Sequence, residues 1–107
     1  MTRQSLQEFK ADLFRALAHP TRIRLLELLR NEEMSVSELQ QRLNIEAASV
    51  SQQLGVLRAQ QLVRGRRDGT SVYYQLRDSK VAVLLDAARE MFDSRLAELQ
   101  AMDQQEL

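Results

Sequence analysis

The stretch that decides the fold of this chain is Glu46-Ala47-Ala48-Ser49-Val50-Ser51-Gln52-Gln53-Leu54-Gly55-Val56-Leu57-Arg58-Ala59-Gln60. At helical period, Val50, Leu54 and Leu57 share one apolar face. The other face and the start of the helix carry short hydrogen-bonding side chains, namely Ser49, Ser51, Gln52 and Gln53. Such side chains suit close approach to base edges in a DNA major groove, where Gln pairs with adenine and Ser donates or accepts. An ordinary exposed helix face has the same pattern, so the neighbouring segments must decide between the two.

Two helices are predicted at the start of the chain. Apolar residues recur at helical spacing from Leu6 to Leu17 and indicate an amphipathic first helix that ends near Ala18. Pro20 suits the first position of a second helix, because its missing N–H would have no partner there. We expect this second helix, which is apolar over much of its circumference, to be central to the core.

A third, short helix is predicted over residues 34–43, with Ser35 or Ser37 as its N-cap. Asn44-Ile45 then makes a turn, since Asn tolerates left-handed backbone dihedrals. A helix, a tight turn and a second helix whose polar front faces outward form a helix-turn-helix.

After Gln61 the period of the apolar residues changes from 3.6 to 2. Residues 62–67 and 71–76 are two β-prone runs joined through Asp68-Gly69-Thr70, which predicts a hairpin. A hairpin beside a helix-turn-helix forms a wing, whose arginines Arg64, Arg66 and Arg67 lead towards the tip and towards phosphates or a minor groove. The alternative is a solvated edge strand that its charges keep soluble.

The last segment predicts a long amphipathic helix from Asp78 to about Met102, roughly 35 Å at 1.5 Å per residue. One small winged domain cannot cover its apolar stripe. We therefore expect this helix and the first one to pair with their copies in an obligate homodimer. The residues expected at that interface are Leu6, Phe9, Leu13, Leu85, Ala88, Phe92 and Leu96. Fraying is the alternative for the end of the helix, best suited to residues 103–107.

Composition excludes several classes of protein. The 107 residues suffice for one domain with a small core, and the absence of cysteine excludes disulfides and thiolate metal sites. No apolar run approaches the roughly 20 residues of a membrane span, and no signal-peptide pattern opens the chain, so we expect a cytoplasmic protein with no membrane partner.

The net charge is zero, but between residues 34 and 77 six arginines stand against three acidic residues. From residue 78 onward seven acidic residues stand against three basic ones, so the middle of the chain suits phosphate and the tail does not.

Three groups of motifs resemble the ArsR/SmtB family of bacterial winged-helix repressors. They are the run from Ala16 to Leu26 that contains His19-Pro20-Thr21-Arg22, the run from Ser49 to Leu54, and Leu62-Val63 followed by Arg66-Arg67-Asp68-Gly69 and Val72-Tyr73-Tyr74. The resemblance implies a single domain over residues 1–107, mainly α with a small β hairpin, in the order of four helices, two strands and a fifth helix. It also implies a dimer that represses by binding a palindromic DNA operator and releases it when an effector binds.

The resemblance assigns DNA-binding roles to individual positions. Ser49, Ser51, Gln52 and Gln53 match the family's base-contacting front, and Arg66, Arg67 and Gly69 match its wing. Arg22 follows the Pro-Thr pair and is expected either to touch a backbone phosphate or to form an ion pair with Glu27 or another acid.

The usual sensor sites of the family are missing. Where metal-sensing members read Cys-Val-Cys, this chain reads Ser35-Val36-Ser37, and hydroxyls are weak ligands for soft metals. The last helix contains no His for a zinc site, and a solvated acidic face explains Asp86, Glu90 and Asp93 better than a hard-cation site does. We expect no metal and no cofactor.

Two mechanisms of control stay open. In one, an uncharged or organic small-molecule effector binds an apolar pocket between the first and last helices. In the other, a protein partner or the protein's own abundance controls it. Met34, Met91 and Met102 are candidates to line such a pocket, but we expect them to fill the core.

Two other functions compete with DNA reading. A winged-helix protein-interaction module would have the same fold, but its contact face is expected to carry aromatic and larger apolar residues rather than Gln52 and Gln53. An enzyme is not expected, because His19 has no Cys or motif-bearing Ser or Asp partner and no Gly-rich phosphate loop is present. The single His is expected to help start the second helix.

Overall fold

The computed structural model describes residues 3–105 and contains five helices and three strands in that range. The helices are α1 (Leu6–Leu17), α2 (Pro20–Leu29), α3 (Val36–Leu43), α4 (Ala47–Ala59) and α5 (Ser79–Gln105). The strands are β1 (Met34–Ser35), β2 (Val63–Asp68) and β3 (Ser71–Leu76). The predicted winged helix-turn-helix is confirmed, with one strand more than the sequence analysis expected.

Local side-chain caps explain where the first helices begin. The Ser5 hydroxyl accepts a hydrogen bond from the Glu8 N–H at 3.1 Å and starts α1. His19 Nδ1 accepts from the Thr21 N–H at 3.2 Å, and Pro20 occupies the first position of α2. The prediction that His19 serves the start of a helix is therefore confirmed.

The third helix starts later than the sequence predicted. Ser35 is its N-cap, and a capping box joins the Ser35 hydroxyl to the Glu38 N–H and the Glu38 carboxylate to the Ser35 N–H. Met34 and Ser35 form β1, which pairs antiparallel with β3 at Tyr74 and Tyr73. The prediction of a helix from Met34 was wrong, because these two residues complete a sheet of strand order β1-β3-β2.

The helix-turn-helix packs its apolar side against α2. Asn44 ends α3 in the left-handed region at φ 54°, as expected for the turn, and α4 begins at Ala47. Val50, Leu54 and Leu57 of α4 are at most 1% exposed, which confirms the predicted apolar back of that helix. The whole core consists of Ala16, Leu25, Leu26, Leu29, Met34, Leu39, Leu43, Val50, Leu54, Leu57, Leu62, Val63 and Val81.

The wing is a tight antiparallel hairpin. Asp68 pairs with Ser71, so the turn consists only of Gly69 and Thr70. Gly69 has φ +64°, a conformation that a side chain disfavours. Val63 is the one fully buried residue of the two strands, so most of the hairpin extends beyond the core.

Helix α5 has 27 residues, which corresponds to about 40 Å at 1.5 Å per residue. Only Val81 of this helix is buried. The helix continues through Gln105, so residues 103–105, to which the alternative of fraying applied, are helical. Residues 106 and 107 lie outside the described range. Between residues 3 and 105, no helix has the length and hydropathy needed to cross a membrane.

Candidate nucleic-acid interface

The predicted base-contacting side chains lie around the outer side of α4. Ser49, Ser51 and Gln52 are exposed, whereas Gln53 is half-buried. At 100° per residue, Gln52 lies near the middle of the outward face, opposite the buried side chains, and Ser51 and Gln53 lie on its two flanks. The four residues therefore form a wide arc, and the two flanking positions have different neighbours.

One exposed apolar residue of this face, Val56, was not predicted from the sequence. Val56 follows Gln52 by one helical turn and is 38% exposed. An exposed Val beside a polar front suits apolar contact with a thymine methyl group. Val56 was overlooked because it lies in the same helical segment as the buried Val50, and apolar residues of such a segment are ordinarily assigned to the core.

Gln53 is held by a residue from another helix. The Nη1 atom of Arg22 donates to the Gln53 Oε1 at 2.9 Å. The same guanidinium donates from Nε to the Ala16 carbonyl at 2.7 Å and from Nη2 to the Arg15 carbonyl at 3.2 Å, at the end of α1. Neither a bond to Glu27 nor any other ion pair is present at Arg22 among residues 3–105, so the ion-pair alternative was wrong. The alternative contact of Arg22 with a phosphate stays a prediction.

Arg66 and Arg67, the two wing arginines predicted to contact DNA, lie on opposite faces of the hairpin. Arg66 pairs with Tyr73 and Arg67 with Val72, and neighbouring side chains of a strand alternate between faces. The Arg66 guanidinium lies 5.0 Å from the centre of the Tyr73 ring, and its Nε donates to the two Glu33 carboxylate oxygens at 3.1 and 3.0 Å. The hydrogen bond from Arg66 lowers the pKa of the Glu33 carboxyl.

Arg67 differs from Arg66 in having no acidic partner. It is exposed and makes no ion pair within the described part of the chain. The turn residue Gly69 follows it at the wing tip, where a Cβ would meet nothing within 4 Å. The structure thus leaves Arg67 available to a phosphate while Glu33 already binds Arg66.

The positive charge available between residues 34 and 77 is smaller than the count of arginines in that segment indicated. Glu32 and Glu33 lie just before that segment, and both approach its arginines: Glu33 binds Arg66, and Glu32 lies 4.0 Å from Arg42. The exposed arginines of the segment that form no ion pair among residues 3–105 are Arg58, Arg64, Arg67 and Arg77. These four, rather than all six, are the charges available to a polyanion.

The residues predicted for dimerisation fall into two groups. Leu13 and Leu85 are half-buried and pack against the core of their own chain. The exposed group consists of Leu6, Phe9, Ala88, Phe92 and Leu96. Phe14, which was not among the predicted residues, is 58% exposed and shares a groove with Phe92. Large apolar side chains therefore remain uncovered on both terminal helices of the single chain.

The groove between α1, α2 and α5 has a volume of about 660 Å³ and is mainly apolar. Phe14, Leu17 and Phe92 line it, and the pair of Arg30 and Asp86 lies at its rim, with Nη1 and Oδ1 2.7 Å apart. Of the three methionines that were expected to fill the core, one does so and two do not. Met34 is buried, whereas Met91 and Met102 are 64% and 57% exposed and do not line the groove.

Two acidic side chains of α5, Asp86 and Asp93, have basic partners. The hydrogen bond from Arg30 lowers the pKa of Asp86, and Asp93 accepts from Arg89 Nε at 3.0 Å. Within residues 3–105, no three His, Asp or Glu side chains are grouped so that they could hold a metal ion. At the position of the family's Cys-Val-Cys, the Ser35 hydroxyl caps α3.

Comparison with known proteins gives consistent results. Residues 17–66 match the family model of a helix-turn-helix domain. The chain is 44% identical over 92 residues to the uncharacterized HTH-type transcriptional regulator Rv0081 of Mycobacterium tuberculosis, a match that covers 85% of this chain and 81% of the relative. It is 38% identical over 95 residues to the biofilm growth-associated repressor of Xylella fastidiosa, covering 86% of this chain and 83% of that protein.

Solved structures share the fold. The crystal structure of Rv0081 has a TM-score of 0.81 at 41% identity, covering 90% of this chain and 97% of that one. The solution structure of Mb0332 from Mycobacterium bovis has a TM-score of 0.79 at 30% identity and covers 90% of this chain and 94% of that one. It is described as a homodimeric winged helix-turn-helix DNA-binding domain and a possible ArsR-family transcriptional regulator.

Proposed function

Because the chain belongs to the ArsR/SmtB family of winged helix-turn-helix transcriptional regulators, we propose that it is a sequence-specific DNA-binding repressor that binds a palindromic operator as a homodimer. The observation that carries this proposal is the outer side of α4. Its polar side chains are exposed beside an extended hairpin, while its apolar back is at most 1% exposed. A helix of this kind can enter a major groove without disturbing the core. The proposal includes no catalytic role.

The contacts to DNA divide between reading and positioning. Ser49 and Gln52 present hydrogen-bonding groups from the middle and one side of the outward face, where base edges would lie. Arg67 at the wing would contact a phosphate, which adds affinity without adding base preference. Arg66 would act mainly by holding the wing against Glu33, with its guanidinium over the Tyr73 ring of the same hairpin.

The homodimer follows from the uncovered apolar surface and from the geometry of DNA. Phe9 on α1 and Phe92 on α5 are 47% and 60% exposed, and within residues 3–105 no segment covers either ring. Pairing these helices with their copies would bury that surface. A two-fold dimer would place two α4 helices about 34 Å apart, one turn of duplex, in successive major grooves.

Control of the repressor would not use the family's thiolate site. The chain has no cysteine, and Ser35 is engaged as the cap of α3. The apolar groove beside Phe14 and Phe92 is the place where an uncharged small-molecule effector would bind. Because Phe92 also belongs to the proposed dimer surface, such a ligand would act on the spacing of the two recognition helices.

The test is a fluorescence anisotropy titration of the purified protein against the DNA upstream of its own gene, at two salt concentrations. A scrambled duplex of the same length is the control. The proposal predicts tight binding that survives the higher salt and exceeds binding to the scrambled duplex by about a thousandfold. Equal binding to both duplexes that the higher salt abolishes would leave either an operator elsewhere or a winged-helix interaction module, and selection from random duplexes separates these two.

A further inference from the structure

The Arg22 guanidinium connects the recognition helix to the end of α1. Its three hydrogen bonds go to the carbonyls of Arg15 and Ala16 and to Gln53 Oε1, at 3.2, 2.7 and 2.9 Å. The two carbonyls belong to the last turn of α1, where backbone acceptors are short of helical partners. The Arg15 carbonyl also accepts from the Ala18 N–H at 3.1 Å, so the Arg22 guanidinium shares that acceptor. A planar guanidinium that is fixed at two carbonyls has little freedom left in the direction of its remaining N–H groups.

This contact determines which end of the Gln53 amide faces outward. Arginine has donors only, so the group that faces it must be the amide oxygen and not the amide NH₂. Gln53 lies on a flank of α4 and is half-buried on the side of Arg22. The NH₂ group, which has no hydrogen-bond partner among the described residues, is therefore the part of Gln53 that a ligand in front of α4 would meet.

A free glutamine and a fixed one read different bases. A free glutamine pairs with adenine in a bidentate manner, donating to N7 and accepting from the N6 amino group. With its oxygen turned towards Arg22, Gln53 can donate to a base but cannot offer the matching acceptor in the same plane. Guanine presents two acceptors in the major groove, N7 and O6, and no donor.

We propose that Arg22 is a positioning residue that makes Gln53 a donor-only reader, so that Gln53 selects guanine over adenine at one position of each half-site. The inference rests on the proposed DNA-binding function and specifies the base that one side chain reads. Arg22 itself need not touch the DNA for this effect.

The experiment begins with the preferred site of the wild-type protein, obtained by selection from random duplexes. The position read by Gln53 is the one at which Gln53→Ala loses its base preference. Four duplexes that differ only at that position are then titrated by anisotropy with wild type, Arg22→Met and Arg24→Met. Arg24 is the matched control, since it is an exposed arginine of α2 that makes no hydrogen bond or ion pair within residues 3–105.

The wild type and the Arg24→Met control are expected to prefer guanine over adenine by about tenfold at this position. Arg22→Met is expected to remove that preference or to reverse it in favour of adenine, because the amide oxygen becomes free. Base preferences at the other positions should stay unchanged. Circular dichroism and thermal melting establish whether Arg22→Met is folded, since it also loses the bonds to α1.

Gln53→Glu gives a second test that leaves Arg22 and its bonds to α1 in place. A carboxylate accepts from Arg22 and has no donor to offer, so the guanine preference should disappear and cytosine, whose N4 amino group donates, should gain. This variant decides the question if Arg22→Met does not fold.

Three results would overturn the inference while leaving the repressor function intact. They are a wild-type preference for adenine at the Gln53 position, an equal loss of affinity for all four duplexes in folded Arg22→Met, and a guanine preference that persists in Gln53→Glu. A wild-type protein that enriches no sequence from random DNA would instead refute the proposed function and the inference with it.

Discussion

Replacing Phe92 with Glu should convert the protein from a dimer to a folded monomer. Phe92 lies on α5 and is 60% exposed in the single chain, although it lines the groove formed by α1, α2 and α5. In the proposed pairing of α5 with its copy, the exposed surface of Phe92 would be covered in both protomers. Because the side chain contributes little to the core of its own chain, its replacement should affect association more than folding.

The expected magnitude follows from the area that Phe92 still exposes. An aromatic side chain buries roughly 200 Å² when it is fully enclosed, so 60% exposure leaves about 120 Å² per protomer and about 240 Å² per dimer. At about 25 cal/mol per Å², complete burial of this area is worth about 6 kcal/mol and half burial about 3 kcal/mol. The dimer dissociation constant should rise by about a hundredfold to ten-thousandfold, before the cost of burying two carboxylates is added.

Sedimentation equilibrium measures this change against a protomer mass of 12.4 kDa. Ser94→Glu is the matched control, since it introduces the same side chain two residues later, on the opposite face of α5. The control should remain dimeric, and both variants should keep the helical circular dichroism of wild type. A folded Phe92→Glu protein with the dissociation constant of wild type would refute the pairing of α5 with its copy.

Three further predictions concern the wing and the rim of the groove. Arg67→Ala should weaken binding to specific and scrambled duplexes alike and should reduce the slope of log K against log salt by about 1, measured by anisotropy, whereas Arg66→Ala should change the slope less. Gly69→Ala should lower the free energy of unfolding in urea by about 1 kcal/mol, because the new Cβ meets no atom within 4 Å and only the positive φ opposes it; an unchanged midpoint would exclude that conformation. Arg30 lowers the pKa of Asp86, so the pair stabilises the fold above the unfolded-state carboxyl pKa and loses its effect as pH falls through the folded-state pKa. Asp86→Asn should therefore be slightly less stable than wild type at neutral pH and equally stable in acid, and a deficit that persists in acid would contradict this role.

Periodicity within one segment was sufficient to predict most of the architecture. The spacing of Val50, Leu54 and Leu57 identified the buried side of α4, and the Asp68-Gly69-Thr70 turn located the hairpin. These features depend on neighbours in sequence, and local patterns report them well. Strand β1 could not be predicted in this way, because two residues are too few to show a period and their partner strand lies about 40 residues away.

The chemistry of the candidate interface depends on contacts between distant segments. Arg22 and Gln53 are 31 residues apart, and Glu33 and Arg66 are 33 residues apart. A sequence window treats each arginine as a free charge and cannot indicate which acid or amide the fold brings to it. For this reason the sequence assigned Arg66 and Arg67 the same role, while the structure gives them different surroundings.

Selection of binding sites from random duplexes tests the central claim most directly, since it requires no knowledge of the regulated genes. A homodimer with two exposed α4 helices should enrich an inverted repeat whose half-site centres lie about 10 base pairs apart. Phe92→Glu should lose that enrichment, and Ser94→Glu should retain it. Enrichment of no sequence by the wild-type protein, or of a single site without two-fold symmetry, would contradict a sequence-specific dimeric repressor.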